Sequence, residues 1–143
     1  MKDLANNIKR VQTLDPIVLT ADQLFTGVDR QGFESVVLAA LLGLSGDTLS
    51  GSVYADLILE HSDDDSTYTA VTSANHVTGG TVDSSGIFAT INAPAEDETQ
   101  YSIGYTGGKR YCRINYDITG THTNGMPVAG LAILGDPTYT AVV

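Results

Sequence analysis

Apolar and polar residues alternate through much of this chain. In SVYADLILEH, residues 52–61, Val53, Ala55, Leu57 and Leu59 fall on one face, while Tyr54, Asp56, Ile58 and Glu60 fall on the other. That period of two is the mark of a half-buried strand. KRYCRINYDI, residues 109–118, repeats it, with Cys112, Ile114, Tyr116 and Ile118 on a face expected to be buried. QYSIGYT groups Tyr101, Ile103 and Tyr105 in the same way. FESVVLAALLG (33–43) and PVAGLAILG (127–135) are near-continuous apolar runs. In the first of them the β-branched pair Val36–Val37 and the bounding glycines favour a buried strand over a helix. DPIVLTAD predicts a strand opened by Pro16 and closed near Asp22, and STYTAV and GIFATINA predict two more.

These segments amount to about eight short antiparallel strands, with turns at roughly 8- to 12-residue spacing. The pattern predicts an all-β fold, a single-domain β-sandwich of jelly-roll-like character over residues 15–143. Leu57, Leu59, Ile103, Cys112, Ile114 and Leu131 are its expected core residues. Gly107–Gly108 signals a hairpin before the strand that contains Cys112. Residues 1–14 are set apart, because Leu4, Ile8 and Val11 have helical spacing in a segment too short to be a stable helix alone. They are expected to form an N-terminal arm or short helix. DPTYTAVV closes the chain as a short tail.

Composition adds a charge. Among 143 residues there are 17 Asp and Glu against 7 Lys and Arg, a formal net charge of −10. An acidic surface without a basic stripe repels a phosphate backbone, so nucleic acid is not an expected partner. The basic residues form two small groups, Lys2, Lys9 and Arg10, then Lys109, Arg110 and Arg113. Such spots on an acidic body suit docking to an acidic protein, and equally suit ordinary solubility. Cys112 is the only cysteine, which excludes an intrachain disulfide. A buried thiol there is a small apolar group rather than a nucleophile. No segment has transmembrane length, and the N-terminus lacks the apolar core of a signal peptide. A membrane is therefore not an expected partner, and synthesis and folding are expected in a cytoplasm.

The densest candidate chemistry is LEHSDDDSTYTAV, residues 59–71. Asp and Ser side chains bond nearby backbone amides, so HSDDDST reads first as a hairpin turn. An EF-hand loop needs glycine at its sixth position and glutamate at its twelfth, where counting from Asp63 gives Tyr68 and Ala74. A looser calcium site built from several loops stays open. A zinc site would need His61, His76 and His122 to converge from separate loops. GLSGD falls one residue short of a nucleophile elbow, and GYTGGKR departs from a phosphate loop in spacing and at Arg110. An exposed acidic loop keeps its carboxylates ionised and makes no proton donor. A sugar platform would have to use Tyr54, Tyr68 or Tyr139, since the chain has no Trp. No catalytic, cofactor-binding or metal-ligating residue is assigned, and no cofactor is expected.

Several stretches taken together carry a resemblance: MKDLANNIK, LTAD, GVDRQGFES, LEHSDDDSTYTAV, GYTGGKRYCRI and PVAGLAILGDP. In this order and spacing the chain resembles a family of small structural proteins of tailed bacteriophages and prophages, encoded close to the major capsid protein. The resemblance spans nearly the whole chain. It implies a virion component on the capsid exterior, a head decoration (cement) protein whose partner is the major capsid protein. It also implies a homo-oligomer, a trimer being one option. It carries over no catalytic residue. Where the family has an SDDGSTW-like segment, this chain has Asp65 for the glycine and Tyr68 for the tryptophan. A head-fibre or glycan- or receptor-binding module and a tail-tube or head–tail joining subunit are the competing readings, and an enzyme has the least support. The expected capsid or subunit contact is the N-terminal segment, through Lys2, Leu4, Ile8, Lys9, Arg10 and Val11.

Overall fold

A computed structural model describes residues 2–138. Met1 and the tail from Tyr139 onward, including the tyrosine considered for a sugar platform, lie outside the described residues. The chain folds into two antiparallel sheets. In chain order the strands are β1 (Lys9–Leu19), β2 (Gln23–Leu24), β3 (Val28–Asp29), β4 (Phe33–Leu42), β5 (Tyr54–Ser62), β6 (Thr69–Ala70), β7 (Val77–Thr78), β8 (Ile87–Ile91), β9 (Gln100–Tyr105), β10 (Tyr111–Thr119) and β11 (Met126–Pro137). One sheet runs β1-β11-β4-β9-β7. The other runs β2-β10-β5-β6, with β3 also on β10 and β8 also on β5. The all-β sandwich expected from the alternation is the fold observed.

The inner faces of both sheets meet in one core. Leu57, Leu59, Ile114 and Tyr116 come from one sheet, and Leu38, Ile103, Tyr105 and Leu134 from the other, each at most 1% exposed. Cys112 is fully buried among them, and burial pushes its thiol pKa up to about 12. The thiol is therefore held neutral and unreactive, as its place on the buried face of β10 implied.

Three expectations are corrected. First, residues 9–14 are strand: β1 starts at Lys9 and pairs with β11 from Lys9↔Leu134 onward. Of the N-terminal segment, only residues 2–8 remain outside the sheets. The spacing of Leu4, Ile8 and Val11 suggested a helix, but pairing with β11 satisfies the backbone groups a short helix would leave open. Second, Leu131 is not core. The buried face of β11 carries Met126, Val128, Ala132 and Leu134, and Leu131 lies half-buried on the opposite face. Third, Gly107–Gly108 joins no hairpin. β9 pairs with β4 and β7, while β10 pairs with β5, so this connection carries the chain from one sheet to the other. Arg30 holds the crossing by donating to the carbonyls of Tyr105 (3.3 Å) and Gly107 (3.0 Å).

Candidate interaction surface

The N-terminal turn is built locally. The Asp3 carboxylate accepts from the backbone N of Asn6 (3.2 Å) and from Asn6 Nδ2 (2.7 Å), and Asn7 N donates to the Leu4 carbonyl (3.1 Å). This asparagine-rich stretch therefore satisfies its own polar groups in a tight turn before β1 begins. The turn abuts the end of the β4–β11 pair, where Leu4 and Ile8 border a groove of about 270 Å3 with Val37 and Ile133. Leu4 is 61% exposed. Lys2, Lys9 and Arg10 are exposed, whereas Val11 faces inward and packs against the core. Of the expected contact residues, five thus face outward or border the groove, and Val11 is withdrawn from it.

The second basic group does not form a docking spot. Arg110 makes a two-pronged pair with Asp29 (2.9 and 2.7 Å), and this bond is the chief reason the Asp29 carboxyl sits below its ordinary range. Arg113 pairs with Glu60 at 2.7 Å and lies 3.7 Å over the Tyr68 ring. That guanidinium covers a face of Tyr68 that a sugar platform would need. Lys109 lies 3.6 Å from Asp63. By contrast, Lys2, Lys9 and Arg10 make no salt bridge among the described residues.

The acidic run forms the turn between β5 and β6, which pair at His61↔Thr69. The Asp64 carboxylate accepts from Ser66 N (2.9 Å), Thr67 N (2.8 Å) and Ser62 Oγ (2.8 Å). These bonds, the Thr67 amide foremost, lower its pKa to about 2. Asp65 holds a left-handed backbone conformation at φ 58°, and Tyr68 Oη donates to its carboxylate. Asp64 and Asp65 are thus occupied in turn chemistry, and Asp63 faces Lys109. Among the described residues no group of three or more His, Cys, Asp and Glu is placed to hold a metal ion.

One cluster was not legible in the sequence. His61 Nδ1 lies 2.7 Å from the Tyr105 hydroxyl, which also accepts from the Lys109 amide at 3.2 Å. The Arg30 guanidinium lies 4.7 Å from the centre of the Tyr105 ring, and the His76 ring is 6.3 Å from that of His61. Partial burial lowers the His61 pKa, with Lys109 and His76 adding to the effect and Asp63 opposing it. The cluster fastens the crossing from β9 to β10 to the end of β5.

The two sheets present different outer faces. On the β5–β10 sheet most outer positions are polar, and several are paired: Arg113 with Glu60, Asn115 Nδ2 with Glu60 (3.2 Å), and Thr90 Oγ1 with Asp56 (2.5 Å), with Ile58 opposite Ile87 as the apolar exception. On the other sheet, the registers Val37↔Ile133, Ala39↔Leu131 and Leu41↔Ala129 line up apolar residues across the two central strands. A second apolar groove, of about 210 Å3, runs between Pro16, Leu41, Pro127 and Ala129.

No protein-family model matches this chain, and no curated protein sequence matches it. Among solved structures, it is similar to a chain of the Bacillus endospore appendages, a family of disulfide-linked pili, at 9% identity, with 96% of each chain covered and a TM-score of 0.44. It is also similar to a chain of the infectious bursal disease virus VP2 subviral particle, at 13% identity and a TM-score of 0.32, covering 96% of this chain and 44% of that one.

Proposed function

We propose that this chain is a non-enzymatic structural protein of a phage virion, a head decoration protein that binds the outer surface of the shell built by the major capsid protein. The observation that carries this reading is the division of the chain's seven basic residues. Arg30, Lys109, Arg110 and Arg113 are engaged within the fold. Lys2, Lys9 and Arg10 are left together at one corner of a body with a formal net charge of −10. This corner, where the three cations outnumber the neighbouring Asp3 and Asp136, is the least acidic part of an anionic body, which orients the protein toward an acidic protein surface and speeds encounter. Leu4 and Ile8 at the same corner add apolar area, worth roughly 1.5–3 kcal/mol for each side chain fully buried. The resemblance of the ordered sequence segments supplies the kind of assembly. Docking many copies on a repeating shell lets modest contacts add up.

The test is to titrate the purified protein onto heads that lack it and measure co-sedimentation. Binding is expected to weaken with salt and to be lost in a Lys9→Glu/Arg10→Glu variant that keeps its fold. Undiminished binding by that variant overturns the role of the corner. Recovery of the protein at the tail, or on host glycans with none on heads, overturns the decoration reading.

A further inference from the structure

We infer that the outer face of the β1-β11-β4-β9-β7 sheet is a self-association surface, on which a second copy of this chain stacks sheet against sheet. The central strands place Val37, Ala39, Leu41, Ala129, Leu131 and Ile133 on this face, and Val37 and Leu41 are 40% and 44% exposed. A lone sheet covered on one side alternates apolar-in with polar-out. The β5–β10 sheet follows that rule except at Ile58 and Ile87, and β4 and β11 do not. Their continuous apolar sequence is the pattern of strands covered on both faces.

The charge distribution chooses the occupant. The centre of this face carries no acidic residue; carboxylates border it only at its ends, where Asp136 accepts from Ser35 Oγ (2.7 Å) and Asp15 accepts from Gln12 Nε2 (2.5 Å). The outward positions of β9 are Gln100, Ser102 and Gly104, and those of the paired start of β1 are Arg10 and Gln12. Two copies at −10 repel each other over most of their surfaces, and the centre of this face, with carboxylates only at its ends, is where they meet with least repulsion.

Size and shape agree. Four strands about 4.8 Å apart, averaging about ten residues at about 3.4 Å, present about 600 Å2. Two such faces bury about 1,200 Å2, the lower end of the range for stable protein interfaces. All sheets share one hand of twist, so a sheet face is complementary to its own copy packed at about 10 Å.

The inference concerns the isolated protein and holds or fails independently of capsid binding. Sedimentation velocity at micromolar concentration is expected to show a species of twice the 15.0 kDa chain mass. Ala39→Lys and Leu41→Glu, each placed on the face away from the core, are expected to give monomers with unchanged circular dichroism. Thr119→Lys, exposed on the outer side of the opposite sheet, is the control and is expected to leave the dimer intact. A monomeric wild-type protein, which would leave the face to a different partner, overturns the inference. So does an oligomer that both face variants leave intact.

Discussion

His61 Nδ1 and the Tyr105 hydroxyl stand 2.7 Å apart, joining the end of β5 to the strand that leaves for the opposite sheet. Tyr105 is fully buried, and its hydroxyl is also the acceptor for the Lys109 amide. Tyr105→Phe therefore leaves two polar groups short of a partner. It is expected to cost about 1–3 kcal/mol, read from denaturant unfolding, with the sheets retained. An unchanged midpoint would show that the bond contributes nothing to the crossing.

The same pair sets a pH dependence. The His61 pKa is lowered in the folded protein, so below 6.5 the unfolded chain binds the proton more readily than the folded one. Stability contributed by neutral His61 is present above 6.5 and is lost as pH falls from there through the folded value. A His61→Gln variant is expected to show a flatter fall of the unfolding midpoint across that window. Identical profiles for the two proteins would remove His61 as the source.

Leu59 is fully buried at the centre of β5, opposite Ile114. Leu59→Ala is expected to destabilise the fold by about 2–5 kcal/mol, through lost burial and the cavity left behind. Leu131→Ala, on the outer face, is expected to cost less in the isolated chain. Comparing the two midpoints checks which face of each strand is core.

Tyr116 is fully buried, and its hydroxyl has no protein hydrogen-bond partner among the described residues. An unmet buried polar group costs about 1–3 kcal/mol. Tyr116→Phe is therefore expected to keep or raise the thermal midpoint. A clear drop would show that the hydroxyl is bonded to a water.

Asp65 sits in the left-handed region that a non-glycine residue enters at a cost of about 1–2 kcal/mol, less for Asp. Asp65→Ala is expected to lose both the tolerance of Asp for this conformation and the bond from Tyr68. Asp65→Gly relieves the backbone and loses only the bond, so it is expected to be the milder change. Thermal melting of the two variants side by side tests this, and equal losses would show that the backbone conformation is immaterial.

The legible parts of the fold were those with contrast between faces. β5 and β10 read correctly because Leu57, Leu59, Cys112 and Ile114 alternate with Asp56, Glu60, Arg113 and Asn115. β11 did not, because Leu131 and Ile133 on one face are as apolar as Ala132 and Leu134 on the other. The turn at Asp64 was legible because its bonds span two or three residues. The cluster of Arg30, His61 and Tyr105 was not, because its members are brought together only by the pairing of distant strands. The corner formed by Lys2, Lys9 and Arg10 was visible as composition. Its distinction from the group at 109–113 was not, since that rests on the carboxylates each cation meets.

Among the described residues β11 is the last strand of its sheet, and it lies between β1 and β4. While the polypeptide is being synthesised, β1 has no neighbour to pair with and one side of β4 stays open until residues 126–137 emerge. The first strand can join its sheet only through the last. Such an order makes assembly slow and leaves an apolar strand edge unguarded meanwhile. A truncation that removes β11 would therefore release β1 as well, opening half of the sheet rather than shortening it by one strand.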